Sequence, residues 1–246
     1  MTRSAFAVFS LARRGAQRRR FKVGRGAWFH ARGALKRVAA LAGALAAVGL
    51  IAACDGAATG GSGGEATSED MVLGDPNAPV TIIEYASITC PHCKAFHDDV
   101  LPELQSRYID TGQVKLVFRE LPTSPESLAV AGMLMARCAG DDKYFDVIDV
   151  LFERQVPLVM AWQQRDGTVL DELLRIAGPA GLSAEEFDAC IRDEDAIDAM
   201  RARGEEGMER WNVTGTPAFI IDGELMTVAP TIEAFEERIE PLLGES

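Results

Sequence analysis

Several features common in enzymes and binding proteins are missing from this sequence. Its 246 residues include only three histidines, and it has no glycine-rich phosphate loop. It also lacks a Ser-His-Asp arrangement. These absences argue against a nucleotide-binding protein, a histidine-rich metal site and a serine hydrolase.

Acidic residues are absent from the first part of the chain. Residues 1–53 hold 11 of the 25 basic residues, which leaves 14 basic residues against 37 acidic ones and a formal net charge of −23 beyond that point. A surface this acidic repels other polyanions. We therefore expect no nucleic-acid partner.

A long apolar run is also missing. Val38 to Ala53 is apolar for only sixteen residues, whereas a membrane-spanning helix needs ~20. After a basic segment, such a run is typical of a secretory signal, so residues 1–53 are interpreted as a signal peptide.

The run ends in Ile51-Ala52-Ala53-Cys54, which resembles the lipobox of bacterial lipoproteins. The resemblance implies lipidation of Cys54 and anchoring on the periplasmic side of the inner membrane, where Asp55 would retain the protein. A cleaved signal that leaves a soluble periplasmic protein, or an uncleaved anchor, is the alternative. Residues 54–70 are rich in Gly, Ala, Ser and Thr, and a flexible tether of this length spans ~20 to 24 Å.

The central motif is Cys90-Pro91-His92-Cys93, between an apolar strand-like run and a helix-like segment. Two thiols at this spacing on a first helical turn can close a disulfide and reopen it, exchanging two electrons. The helix N-terminus favours a thiolate, which predicts a lowered pKa for Cys90. His92 can donate to that thiolate.

Hydrophobic patterning predicts an α/β protein of order β-α-β, helical block, β-β-α. The turn Asp222-Gly223 predicts a hairpin between the last two strands. The predicted elements are strands at Val80–Ala86, Val114–Arg119, Ala218–Ile221 and Glu224–Val228, and a helix from Cys90 to about Tyr108 with a kink at Pro102.

The helical block is predicted from apolar residues at helical spacing. Ser183 and Glu186 form a capping-box pattern that predicts a helix start. The Met and aromatic residues of the block are expected in the core; they are Met133, Met135, Phe145, Phe152 and Met160.

The order of elements, the Cys-x-x-Cys motif, Gly215-Thr216-Pro217 and the opening from Gly74 to Thr81 resemble DsbA-like thiol:disulfide oxidoreductases. The resemblance covers about residues 71–244. It implies a thioredoxin fold split into residues 71–123 and 205–246 around a helical insertion at 124–204.

The resemblance also implies roles for individual residues. Cys90 would be the exposed nucleophile, Cys93 the buried resolving thiol, and Pro217 a cis-proline facing them. Pro91 and His92 form the dipeptide of the oxidant members of the family. Thr216 also precedes the cis-proline in isomerases, so the direction of the reaction stays open.

Glu84 is an acidic residue within an apolar strand, where a carboxylate needs a partner. The family implies a buried acid that moves protons near Cys93; the alternative is a glutamate that reaches solvent or pairs with a lysine. His97, one turn after Cys93, could contact the site, but a surface position is expected.

Cys138 and Cys190 lie on apolar faces of predicted helices. Both could be buried free thiols, but an oxidising compartment favours a disulfide between them. Some DsbA-like proteins carry such a bridge in the insertion.

These features predict a monomeric periplasmic oxidoreductase that oxidises thiols of secreted proteins through Cys90 and Cys93. It would need no metal or organic cofactor, and a DsbB-like membrane partner would reoxidise it. The alternatives are a thiol reductant, a disulfide isomerase and, from another class, a Cu(I)-binding or chaperone module.

Overall fold

The computed structural model describes residues 66–67 and 69–244. The predicted signal peptide, Cys54 and most of the predicted tether lie outside these residues. The strands are β1 Met71–Leu73, β2 Val80–Ala86, β3 Val114–Glu120, β4 Ala218–Ile221 and β5 Glu224–Leu225. The helices are α1 Pro91–Asp99, α2 Leu101–Leu104, α3 Glu126–Cys138, α4 Tyr144–Glu153, α5 Gln155–Gln164, α6 Thr168–Ala177, α7 Ala184–Ile191, α8 Glu194–Trp211 and α9 Ile232–Gly244, with a π-helical turn at Gln105–Ile109.

The sheet has the strand order β1-β3-β2-β4-β5. The central pair, β2 and β3, is parallel, and the outer pairings are antiparallel. β2 consists largely of apolar and β-branched residues because it is buried on both faces, as parallel strands usually are. The predicted β-α-β, helical block, β-β-α order is therefore confirmed.

Helices cover both faces of the sheet. Phe96, Leu104, Phe219 and Phe235 belong to the core shared with α1, α2 and α9. On the opposite face α8 lies so close that a Cβ atom at Gly207 would be 2.5 Å from the Tyr85 ring. Glycine at this position lets α8 pack directly on the sheet.

Several predicted bounds need correction. The strand β1 was not predicted, and β5 ends at Leu225 instead of Val228. The helix after the cysteines is interrupted at Val100, and Pro102 is the second residue of α2. This is where a proline, which has no N–H group, is tolerated.

The helix α5 was also missed, because its apolar residues do not form a one-sided stripe. Met160, which lies on it, is 59 % exposed and not part of the core.

The capping box of Ser183 and Glu186 is confirmed at the start of α7. The division at residues 204 and 205 stays a prediction, and α8 runs across it. Between residues 69 and 244 no helix combines the length and the apolar character needed to cross a bilayer.

Candidate active site

Cys90 lies at the boundary between the sheet and α1. It is the N-cap residue of α1, and Pro91 occupies the first turn. A proline is tolerated there because the N–H groups of a first helical turn have no acceptor within the helix. The Cys90 sulfur lies 3.2 Å from the carbonyl oxygen of Thr216, to which it donates when protonated. This contact joins the start of α1 to the loop before β4.

The two thiols, both free in this structure, have opposite electrostatic environments. A hydrogen bond from Cys93 lowers the pKa of Cys90 to about 5 against the opposing effect of burial, with help from the Thr216 side chain and the backbone N–H groups of Cys93 and His92. Burial raises the pKa of Cys93, and Cys90 and the charge of Glu84 raise it further. Cys90 thus holds the thiolate, and Cys93 keeps its proton.

The exposure of the motif differs in part from what the family resemblance implies. Cys93 is fully buried, but Cys90 is itself only 7 % exposed. Pro91 and His92 are the exposed residues of the motif. His92 reaches the Cys90 sulfur through its backbone N–H, whereas donation from its side chain stays a prediction.

Thr216 and Pro217 lie beside the start of α1, and the peptide bond between them is cis. Together with residues of α1 they line a surface groove of about 360 Å³. The other lining residues are His92, Ala95, Phe96, Asp99, Val100 and Pro230. This groove is the open surface next to the dithiol.

Below the dithiol, Glu84 and His97 form a buried pair. Glu84 is fully buried in β2, and its Oε2 lies 3.1 Å from His97 Nε2. The expected surface position of His97 is therefore wrong: the residue is 8 % exposed, because the Phe152 ring of α4 stacks on it at 4.3 Å.

Burial alone would lower the pKa of His97. The charge of Glu84, helped by the hydrogen bond to Glu84 and by the nearby carboxylate of Asp149, instead raises the pKa of His97 to about 9. The imidazole is therefore charged at neutral pH. Glu84 therefore pairs with a histidine, and the alternative prediction that it pairs with a lysine is wrong.

Gln155, the first residue of α5, was missed by sequence reasoning. Its buried side-chain amide donates to the carbonyl oxygens of Ile88 at 2.8 Å and Cys90 at 2.9 Å. It therefore ties the helical block to the loop that presents Cys90. A lone glutamine at a helix start carries no sequence signal of this contact.

The remaining cysteines of the described region are separate from the dithiol. Cys138 at the end of α3 and Cys190 in α7 are joined by a disulfide that links positions 52 residues apart. Their Cα atoms are 6.3 Å apart, within the range that such bonds need. This bridge fastens two helices of the block.

The sheet order, the dithiol at the first helix and the loop of Thr216 and Pro217 define the class of thioredoxin-fold proteins with a helical insertion. A family model described as Thioredoxin matches residues 66–241. The crystal structure of Wolbachia pipientis alpha-DsbA1 has a TM-score of 0.64 and 28 % identity, covering 73 % of this chain and 94 % of that one. The chain belongs to the thioredoxin family, in its DsbA-like branch.

Two further comparisons agree with this assignment. A protein of Rickettsia bellii (strain RML369-C) named "Putative protein-disulfide oxidoreductase" is 30 % identical over 179 residues, which are 72 % of this chain and 66 % of that protein. Oxidised BdbD from Bacillus subtilis shares the fold at 22 % identity, with a TM-score of 0.60 over 74 % of this chain and 97 % of that one. The chain spans 56 to 66 % of the length of the first rickettsial relatives.

Proposed function

We propose that the protein is a protein-disulfide oxidoreductase that oxidises thiols of secreted proteins. The observation that carries this proposal is the contrast within the dithiol: Cys90 has a pKa lowered to about 5, whereas burial raises that of Cys93. A stabilised Cys90 thiolate favours the reduced form of the pair, so the disulfide form becomes a stronger oxidant.

The reaction begins with the disulfide between Cys90 and Cys93. A substrate thiolate attacks Cys90 Sγ, the bond to Cys93 breaks, and Cys93 leaves with the electron pair and takes up a proton. A second substrate thiolate then attacks the substrate sulfur of the mixed disulfide, and Cys90 leaves as a stabilised thiolate. The substrate loses two electrons, and the dithiol gains them.

The surroundings of the dithiol support roles for three further residues. Glu84 supplies or accepts the Cys93 proton. Thr216 and Pro217 hold an extended substrate segment, since the groove beside them is open to solvent and the Thr216 carbonyl already contacts Cys90. Main-chain pairing of this kind is sequence-tolerant, which suits an enzyme with many substrates.

The proposed location is the periplasmic side of the inner membrane, where lipidated Cys54 anchors the chain. The apolar run that ends at Cys54 and the flexible composition of residues 54–70 support it. A soluble periplasmic form after signal cleavage is the alternative. Reduced secreted proteins are the proposed substrates, and a DsbB-like membrane protein is the proposed oxidant of the reduced enzyme.

A redox titration against glutathione tests the direction of electron flow. We expect a potential well above the value of about −270 mV that is typical of thioredoxin. A potential near that value would contradict the oxidant and favour a reductant. The Cys138→Ala/Cys190→Ala variant is the control, since its potential should match that of the wild type if only the Cys90 and Cys93 pair titrates.

Substrate trapping tests the exchange chemistry itself. In Cys93→Ala the Cys90 thiolate attacks disulfides of its substrates and releases one substrate sulfur as a thiolate, and the resulting mixed disulfide should accumulate because no Cys93 is present to release it, whereas Cys90→Ala should accumulate none. Mass spectrometry of the trapped species would identify the partners. Equal trapping by both variants would contradict the assignment of Cys90 as the nucleophile, and retention of copper by the purified reduced protein would favour the metal-binding alternative.

A further inference from the structure

A small cavity lies on the surface side of His97. It has a volume of about 200 Å³ and lies between α1, α2 and α4, with the carboxylates of Asp98, Asp149 and Glu153 in its lining. The His97 Nδ1 atom is buried, has no hydrogen-bond partner among the described residues, and lies 3.9 Å from Asp149 Oδ1. The Asp149 side chain is 63 % exposed. One edge of the imidazole therefore lies next to groups in contact with solvent.

The other edge of the same ring faces the interior. Its Nε2 lies 3.1 Å from Glu84 Oε2, and Glu84 Oε1 has no hydrogen-bond partner in the described part of the chain. Glu84 acts electrostatically on Cys93. His97 is thus in direct contact with Glu84 on its inner edge and lies near Asp149 on its outer edge, and Glu84 acts on Cys93 through its charge.

We propose that His97 is a positioning residue of the exchange reaction: it stores the proton that Cys93 takes up and releases, and it acts through Glu84. This inference rests on the proposed thiol–disulfide exchange. When the Cys90–Cys93 bond breaks, Glu84 passes a proton to the Cys93 sulfur and receives the Nε2 proton of the His97 imidazolium. During reoxidation the Cys93 proton returns by the same route. Between turnovers the ring exchanges protons with solvent through the cavity beside Asp149.

The charged groups around the ring come from three elements. Glu84 lies on β2, Asp98 and Cys93 on α1, and Asp149 and Glu153 on α4. All the carboxylates favour the imidazolium. Asp98 is the natural control, because it lines the same cavity but pairs with Lys94 at 2.8 Å.

The test measures how fast the oxidised full-length protein reacts with a dithiol model peptide, by acid quenching and mass spectrometry, from about pH 6 to about pH 10. His97→Gln can still donate to Glu84 but cannot store a proton. The wild-type rate divided by the His97→Gln rate cancels the titration of the peptide. We expect a ratio of at least about ten at pH 7 that falls towards one as the pH rises through about 9.

Asp149→Asn, an exposed substitution that leaves the core intact, keeps the test valid if His97→Gln does not fold. The wild-type rate divided by the Asp149→Asn rate should rise above one as the pH passes the lowered His97 pKa of the variant and return towards one above about pH 9, whereas the corresponding ratio for Asp98→Asn should stay near one. A ratio that stays constant with pH for both His97→Gln and Asp149→Asn would overturn the proton store, because a merely structural role lowers the rate equally at every pH. A wild-type protein that reacts with the peptide at no pH would overturn the proposed function instead.

Discussion

Two glutamates on neighbouring strands, Glu84 in β2 and Glu120 in β3, are both completely buried but differ in their partners. Glu120 accepts hydrogen bonds from Arg137, Arg203 and the Tyr144 hydroxyl. Glu84 has one imidazole as its partner, and its Oε1 has no partner among the described residues. One carboxylate is fully satisfied and the other is not.

The two carboxylates differ in whether the charge of their partner can change. A guanidinium stays charged throughout the accessible pH range, so the charges around Glu120 are permanent. An imidazole can lose its proton, so the pair of Glu84 and His97 can change its proton content. Glu120 links the sheet to α3, α4 and α8 through fixed charges and a hydroxyl, whereas the pair of Glu84 and His97 can gain or lose a proton, as its proposed role requires.

The largest expected effect is that of Glu120→Gln on stability. The substitution leaves Arg137 and Arg203 without their carboxylate, and neither can neutralise itself. Breaking a buried ion pair in this way costs about 3–5 kcal/mol. Urea unfolding measures the loss, and a change below about 1 kcal/mol would show that solvent reaches the two guanidinium groups.

The pH dependence of stability should come from His97. Its pKa is raised from 6.5 to about 9 in the folded state, so its contribution is fully present below about pH 6.5 and is lost as the pH rises through about 9. The loss can reach about 3 kcal/mol. It is best measured by unfolding the Cys90→Ser/Cys93→Ser variant, in which the thiols do not titrate.

Adding His97→Gln to that background should remove most of this slope. Adding Arg137→Lys, a change within the permanent charges around Glu120, should leave the slope in place. An unchanged slope after His97→Gln would assign the pH dependence to other groups.

Glu84→Gln should cost much less stability than Glu120→Gln, about 1 kcal/mol. The reason is that His97 can release its proton when its counter-charge is removed. The same unfolding measurement applies to both variants. Equal losses for the two would remove the distinction between a permanent and a titratable partner.

The smallest expected effect is at an exposed ion pair. Arg192 and Asp188 lie one turn apart with their side chains 72 % and 56 % exposed. Arg192→Gln should change the free energy of unfolding by less than about 0.5 kcal/mol, and added salt should reduce this difference further. A larger loss of stability that salt does not reduce would show that exposure does not predict how much an ion pair contributes to the free energy of unfolding of this protein.

Much of the fold could be predicted because its signals are local. Apart from Thr81 and Glu84, Val80–Ala86 is apolar, as is typical of a strand buried on both faces. Cys90 is followed by a proline that suits a first helical turn, and Asp222-Gly223 suits a tight hairpin. Each of these patterns depends on residues within a few positions, so it can be read without knowing what packs against it.

The residues that were missed depend on contacts distant in sequence. His97 lies among polar neighbours in α1 and becomes buried only because α4 places Phe152 over it. Gln155 contacts a loop more than sixty residues before it. The arginine partners of Glu120 come from two helices of the block. Neither the amino-acid composition nor the hydrophobic periodicity predicts these contacts.

Local backbone chemistry thus specifies the dithiol, its position at a helix start and the order of the elements around it, so these features could be predicted. Which acids are buried, and with which partners, depends instead on long-range packing, because the cost of a buried charge depends on every group packed against it. For Glu84 that group is His97, whose charge can change, and for Glu120 it is a pair of arginines, whose charges cannot.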